Sequence, residues 1–159
     1  MLNNESIIKA ITVDESIAKI SILEVPDVPG IAFKLFSRIS SENIKIESIV
    51  QNVNRNSVND ITFTVSKEEA VLAKEITEDF ASIVGASGVS YDDTVARLSV
   101  IGAAIVANSH IASKFFKALF DLGVNIQMIS TSEDKISCVI DKSKAQESLK
   151  QIYKEFEVN

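Results

Sequence analysis

Few residues of this chain have the chemistry or the spacing for covalent catalysis. His110 is the single histidine, which excludes a histidine-based triad or a multi-histidine metal site. It falls at the start of a helical pattern and reads as a surface residue. Cys138 is the single cysteine and alternates with Ser137 and Val139 in a strand pattern, where a thiol acts as a small hydrophobe. Asp92-Asp93 has no third oxygen ligand at useful spacing, so the pair reads as a polar turn between strands and no metal is expected. Lys67-Glu68-Glu69 and Glu78-Asp79 read as solvated helix faces. With no phosphate loop either, no cofactor is expected. What stands out is a binding geometry. Pro26-Asp27-Val28-Pro29-Gly30 is the strongest turn signal in the chain, and Pro29 suits the first turn of a helix. A turn that opens into a helix points unpaired N–H groups outward and favours an anion. Ile31 and Ala32 supply such donors, and Gly30 lets a ligand approach the backbone closely.

The elements that position this turn follow from periodicity. Ile7–Val13 alternates and is rich in β-branched residues, so it predicts a strand that Asp14-Glu15-Ser16 breaks. A second strand over Ala18–Val25 puts Ala18, Ile20 and Ile22 on one face. After the turn, Ile31, Leu35, Phe36 and Ile39 form the stripe of an amphipathic helix. Strand Ile44–Val53, a polar loop over Asn54–Asn59 and strand Ile61–Val65 follow. A helix over Lys67–Val84 aligns Leu72, Ile76, Phe80 and Ile83, and Val89-Ser90-Tyr91 reads as a short strand.

The pattern then repeats about 80 residues later, a period compatible with a tandem unit. Val95–Ile101 is a strand, and a helix near Ser109–Leu122 turns Ile111, Phe115, Leu119 and Leu122 inward. Gly123 fits the left-handed residue that closes such a helix. Strands Val124–Thr131 and Lys135–Ile140 form a tight hairpin, and a last helix over Lys142–Phe156 aligns Ala145, Leu149, Ile152 and Phe156. The second copy lacks a final strand, whereas the chain has a spare one at its start. Ile7–Val13 is therefore expected to complete the second sheet, which makes the first copy an insertion in the second. The fold expected is α+β: two ferredoxin-like βαββαβ units with antiparallel sheets and helices on one face.

Gln51-Asn52-Val53, Asp60-Ile61-Thr62-Phe63-Thr64, Tyr91-Asp92-Asp93 and Ile129-Ser130-Thr131-Ser132-Glu133 together closely resemble the C-terminal regulatory region of the aspartokinases. That region is a tandem of interleaved ACT domains, and the resemblance runs from about Ile7 to Phe156. It gives a first ACT unit over 16–93 and a second over 7–14 plus 94–157. It implies a regulatory module that senses lysine and/or threonine and feeds back on aspartate phosphorylation in the cytoplasm. It also implies a homodimer through the ACT units and a catalytic amino-acid kinase domain or subunit as partner. Nothing in the chain resembles the nucleotide-binding lysine and glycine segments of that kinase. A separate regulatory subunit and a portion of a longer chain both remain open.

An amino-acid effector presents a carboxylate, an ammonium group and a side chain. The Asp27-Val28-Pro29-Gly30-Ile31-Ala32 turn suits the carboxylate, with Asp27 accepting from the ammonium or from a hydroxyl. Gln51, at the end of the neighbouring strand, both donates and accepts. The resemblance implies that Asn125-Ile126 of a partner chain supplies the other half of this pocket. It also implies a possible second effector site at Ser109, His110, Ile111 and Ala112, with Ser132 and Glu133. There the family's usual Pro-Gly is replaced by Asn108-Ser109-His110, and Lys45 stands where asparagine is common.

Other function classes fit less well. A formal net charge of −6 and a pI near 4.8, without a Lys/Arg cluster, argue against nucleic acid. An RNA-binding ferredoxin-like sheet needs paired strand aromatics, and Phe63 alternates with threonines. No apolar run reaches the roughly 18 residues of a membrane span. The start of the chain shows no secretory signal, and one cysteine allows no internal disulfide. The rival retained is a dimerisation-only ACT-like module without an effector.

Overall fold

The computed structural model describes residues 7–158. They contain six strands, β1 (Ile8–Pro26), β2 (Ser48–Val53), β3 (Val58–Ser66), β4 (Gly88–Gly102), β5 (Met128–Ser132) and β6 (Lys135–Asp141). The helices are α1 (Ile31–Ser41), α2 (Lys67–Val84), α3 (Ser109–Asp121) and α4 (Ala145–Glu155). The chain divides into two compact units, Ser16–Asp93 and a second one drawn from the chain before Ser16 and from Thr94 onward. β1 and β4 are long enough to give one end to each unit.

In the Ser16–Asp93 unit the strand order is β2-β3-β1-β4, with β3 antiparallel to both β1 and β2. Ala18, Ile20 and Ile22 of β1 and Ile61, Phe63 and Val65 of β3 pack on Leu35 and Ile39 of α1 and Phe80 of α2. In the other unit the order is β1-β4-β6-β5, and β6 is antiparallel to β4 and β5. Its core joins Leu98, Val100, Cys138 and Ile140 to Phe115 and Leu119 of α3 and Ile152 of α4. Both orders are ferredoxin-like, and the first strand of the chain does complete the second sheet. The repeat extends to small detail. Ser21 and Thr62 share a hydroxyl hydrogen bond of 2.7 Å, and Ser99 and Ser137 share one of the same length at the matching register.

Several expected boundaries are corrected. Asp14-Glu15-Ser16 does not interrupt β1, because strand pairing keeps the backbone extended and the Arg97 guanidinium donates to Asp14 Oδ2 at 3.2 Å. Asp92-Asp93 is likewise part of one continuous β4 rather than a turn. β2 begins at Ser48, not Ile44: the preceding stretch bends so that Ile44 enters the core and the Lys45 N–H reaches Glu69 Oε2 at 3.4 Å. β5 begins at Met128 for a similar reason, since Val124 and Ile126 turn into the second core.

α2 presents a different face from the one expected. Ala70, Ala73, Thr77, Phe80 and Ala81 are buried, whereas Leu72 is 43% and Ile83 64% exposed. Small side chains let this helix lie close to the sheet, and Thr77 satisfies its hydroxyl by donating to the Ala73 carbonyl at 2.7 Å.

Candidate functional site

The connection from β1 to α1 forms the wall of a crevice of about 170 Å³. Its shape begins with a bulge. Ile22 pairs with Ile61 and Val25 with Asn59, so β1 spends three residues where β3 spends two. The extra residue is Glu24, at φ 53. Its N–H donates to Asp60 Oδ1 at 2.8 Å, its carboxylate accepts from the Ser87 hydroxyl, and the Ser87 N–H reaches the Leu23 carbonyl at 2.9 Å. Without the bulge, alternation would turn Val25 away from the core. With it, Ile22 and Val25 share the inward face and Asp27 follows on the same side.

α1 then starts with no capping side chain. Gly30 is the N-cap residue at φ 94, in the left-handed region, and its carbonyl accepts the Lys34 N–H at 2.9 Å. A carboxylate placed there meets first-turn N–H groups and the positive end of the helix dipole, with no acidic residue in the first turn to compete.

Asp27, Gly30, Ile31, Ala32 and Gln51 all line this crevice. Pro29 lies in the turn and is not among the lining residues. Gln51 arrives from β2, opposite Ile61 in register. The structure adds Asn59 and Ile61 of β3, which the sequence reading does not single out. Asn59 is 3% exposed, and its Nδ2 donates to Asp27 Oδ1 at 3.0 Å. Its own Oδ1 is buried without a partner. No signal in the sequence marks Asn59: it reads as the end of a solvated loop, and only its pairing with Val25 across the bulge buries it.

Asn125 lies on a separate hollow of about 300 Å³ in the other unit, lined also by Gln127, Asp141, Ser143 and Lys144. Ile126 packs against the second core instead. Both residues sit in the connection before β5 rather than in the strand. The Asp141 carboxyl is held below its ordinary range by hydrogen bonds from the Ser143 hydroxyl and backbone N–H, at 2.6 and 2.8 Å.

The other unit's helix start is built differently. The chain leaves β4 through a short 3-10 turn, Ile105–Ala107, and Asn108 caps α3 by accepting the His110 N–H at 3.1 Å. Ile111 is buried, Ala112 packs against the core, and Ser109 and His110 are exposed. Glu133 instead lines an open cleft of about 710 Å³ with Ala103, Ala104, Ala107 and Asp134. Ser132 donates to Asp134 Oδ1 at 3.0 Å in the same hairpin turn. Among the described residues of this cleft, Ser109–Ala112 do not join Glu133. Cys138 is buried, and burial pushes its thiol up to about 12.

Two interleaved ferredoxin-like units, one with an open helix start beside an edge strand, have the architecture of a tandem ACT-type regulatory module. Residues 20–85 and 98–156 each match an ACT domain family model. The chain is 38% identical over 155 residues to the aspartate kinase of Pseudomonas fluorescens, covering 98% of this chain and 38% of that protein. It is 37% identical to the aspartokinase of Pseudomonas aeruginosa over the same shares of each. It is 30% identical to the regulatory subunit of aspartate kinase from Thermus thermophilus, solved ligand-free, with a TM-score of 0.89 over 94% of this chain and 98% of that one. A crystal structure of aspartokinase alpha and beta subunits matches at 32% identity and TM-score 0.88, over 95% and 99%. The chain belongs to the aspartokinase family, as its ACT-domain regulatory portion. It spans 38% of the length of those two Pseudomonas proteins.

Proposed function

We propose that this chain is the effector-binding module of an aspartate kinase. It binds lysine and/or threonine and mediates feedback inhibition of the ATP-dependent phosphorylation of the aspartate carboxyl group. The kinase domain or subunit that performs the reaction is its catalytic partner, in the cytoplasm. The observation that carries this reading is the meeting of Asp27, Gly30, Ile31, Ala32 and Gln51 around one crevice at an uncapped helix start. The effector carboxylate takes the α1 N–H groups, Asp27 faces the ammonium, and Gln51 serves either end. Relatives described as regulatory subunits support the role.

The dimer is part of the proposal. Asn125 and Ile126 of a second copy close the crevice, so that effector binding bridges two chains. Ile49 and Val53, 53% and 79% exposed, flank Gln51 on the face of β2 that carries it, which favours burial against a partner there. ACT units over 16–93 and over 7–14 plus 94–157 are the proposed boundaries. A second effector site at Ser109–Ala112 with Ser132 and Glu133 would have one donor fewer at its helix start, since Asn108 already takes the His110 N–H.

Isothermal calorimetry with threonine and lysine on wild type and Gln51→Ala tests the crevice; equal binding by both proteins removes Gln51 from it. A ligand at 100 times its Kd should raise stability by about 2.7 kcal/mol. Dimer formation with no thermal shift from any amino acid would favour the assembly-only reading.

A further inference from the structure

The Ser16–Asp93 unit leaves one buried acceptor at the crevice unused. Asn59 is 3% exposed and is one of the residues that line the crevice. An amide has two ends that differ in sign, and the partner of one end fixes the other. Asp27 is a carboxylate and only accepts. Asn59 must therefore turn Nδ2 toward Asp27, as it does at 3.0 Å, and Oδ1 is forced to the opposite side. There it has no donor from the protein. An unsatisfied buried oxygen costs free energy that a suitable donor recovers on binding.

We propose that Asn59 is a specificity-determining residue of the crevice: its side-chain oxygen, oriented by Asp27, accepts from the α-ammonium group of the bound amino acid. This rests on the effector reading above and deepens it. Asp27 supplies the opposite charge, and Asn59 supplies a second acceptor whose direction is fixed. A free amino acid satisfies both acceptors while its carboxylate meets the α1 N–H groups. The matching acid without an α-amino group still meets the helix start but brings no α-ammonium to the two acceptors. The crevice thus separates amino acids from their deaminated counterparts, which charge attraction at the helix N-terminus alone does not do.

Calorimetry on the full chain tests this with threonine, lysine, 3-hydroxybutyrate and 6-aminohexanoate, on wild type and Asn59→Ala. Wild type should bind threonine or lysine at least tenfold more tightly than the matching analogue without the α-amino group. Asn59→Ala should lose tenfold or more for the amino acid and little for the analogue. Wild type that binds the analogue equally well overturns the proposal, even if the variant does not fold. Unchanged amino-acid binding by a folded Asn59→Ala overturns it too, while leaving the effector crevice standing. If wild type binds no amino acid, the effector reading itself falls and takes this proposal with it.

Discussion

Asp60 Oδ1 accepts the backbone N–H of Glu24 at 2.8 Å, at the one point where β1 carries an extra residue against β3. This contact holds a non-glycine residue at φ 53 and re-aims everything after it, including Asp27. Asp60→Ala removes the acceptor at an exposed site, so a loss of about 1 kcal/mol is expected in urea unfolding. If the proposed crevice binds an effector, its affinity should fall as well. Unaltered stability together with unaltered binding would show that the bulge needs no side-chain support.

The glycines separate backbone strain from collision. A Cβ at Gly30 meets nothing within 4 Å, but its φ of 94 disfavours any L side chain. Gly30→Ala should therefore cost about 1–2 kcal/mol through conformation alone. A Cβ at Gly102 would collide with the Ile7 backbone carbonyl oxygen, which no side-chain rotation relieves. Gly102→Ala should cost more, about 3 kcal/mol by the usual scale of overpacking. Denaturation midpoints of the two variants in the reverse order would contradict this account.

Burial sets the behaviour of Cys138. Its thiol is raised from 9.0 to about 12 because the thiolate is desolvated. The folded state holds the proton more tightly than the unfolded chain, so the associated stability is fully present below pH 9. It is lost progressively as the pH rises from 9 toward 12. Unfolding free energy should fall between pH 8 and 10.5 more steeply in wild type than in Cys138→Ala. A thiol reagent at pH 8 should label the protein only after unfolding; fast labelling of the native protein would place the sulfur at the surface.

The exposed side of α2 offers a contrast with its buried side. Leu72→Gln and Ile83→Gln should each change stability by no more than about 0.5 kcal/mol. Ala73→Leu, aimed at the sheet, should cost about 1–3 kcal/mol through overpacking. A large loss at Ile83 that shrinks as the protein is diluted would instead reveal that this face is covered by another molecule.

Much of this protein is written in local pattern. Alternation and helical stripes are properties of a few successive residues, so the helix over Lys67–Val84, the repeat, and the need for Ile7–Val13 in the second sheet were all legible from the chain. So was the turn at Asp27–Ala32, because proline and glycine restrict or free the backbone regardless of what surrounds them. The α2 face was not legible, since hydrophobicity favours Leu72 and Ile83 while close packing favours Ala70 and Ala73. Asn59 escaped for a related reason. It looks like the end of a polar loop, and only the bulge opposite, which sets it against Asp27, makes it a buried wall with a directed oxygen. The sequence by itself determined the two-unit fold, the family and the position of the open helix start. Tertiary structure alone decided which strand neighbours face that opening, because register and helix rotation depend on contacts between residues tens of positions apart.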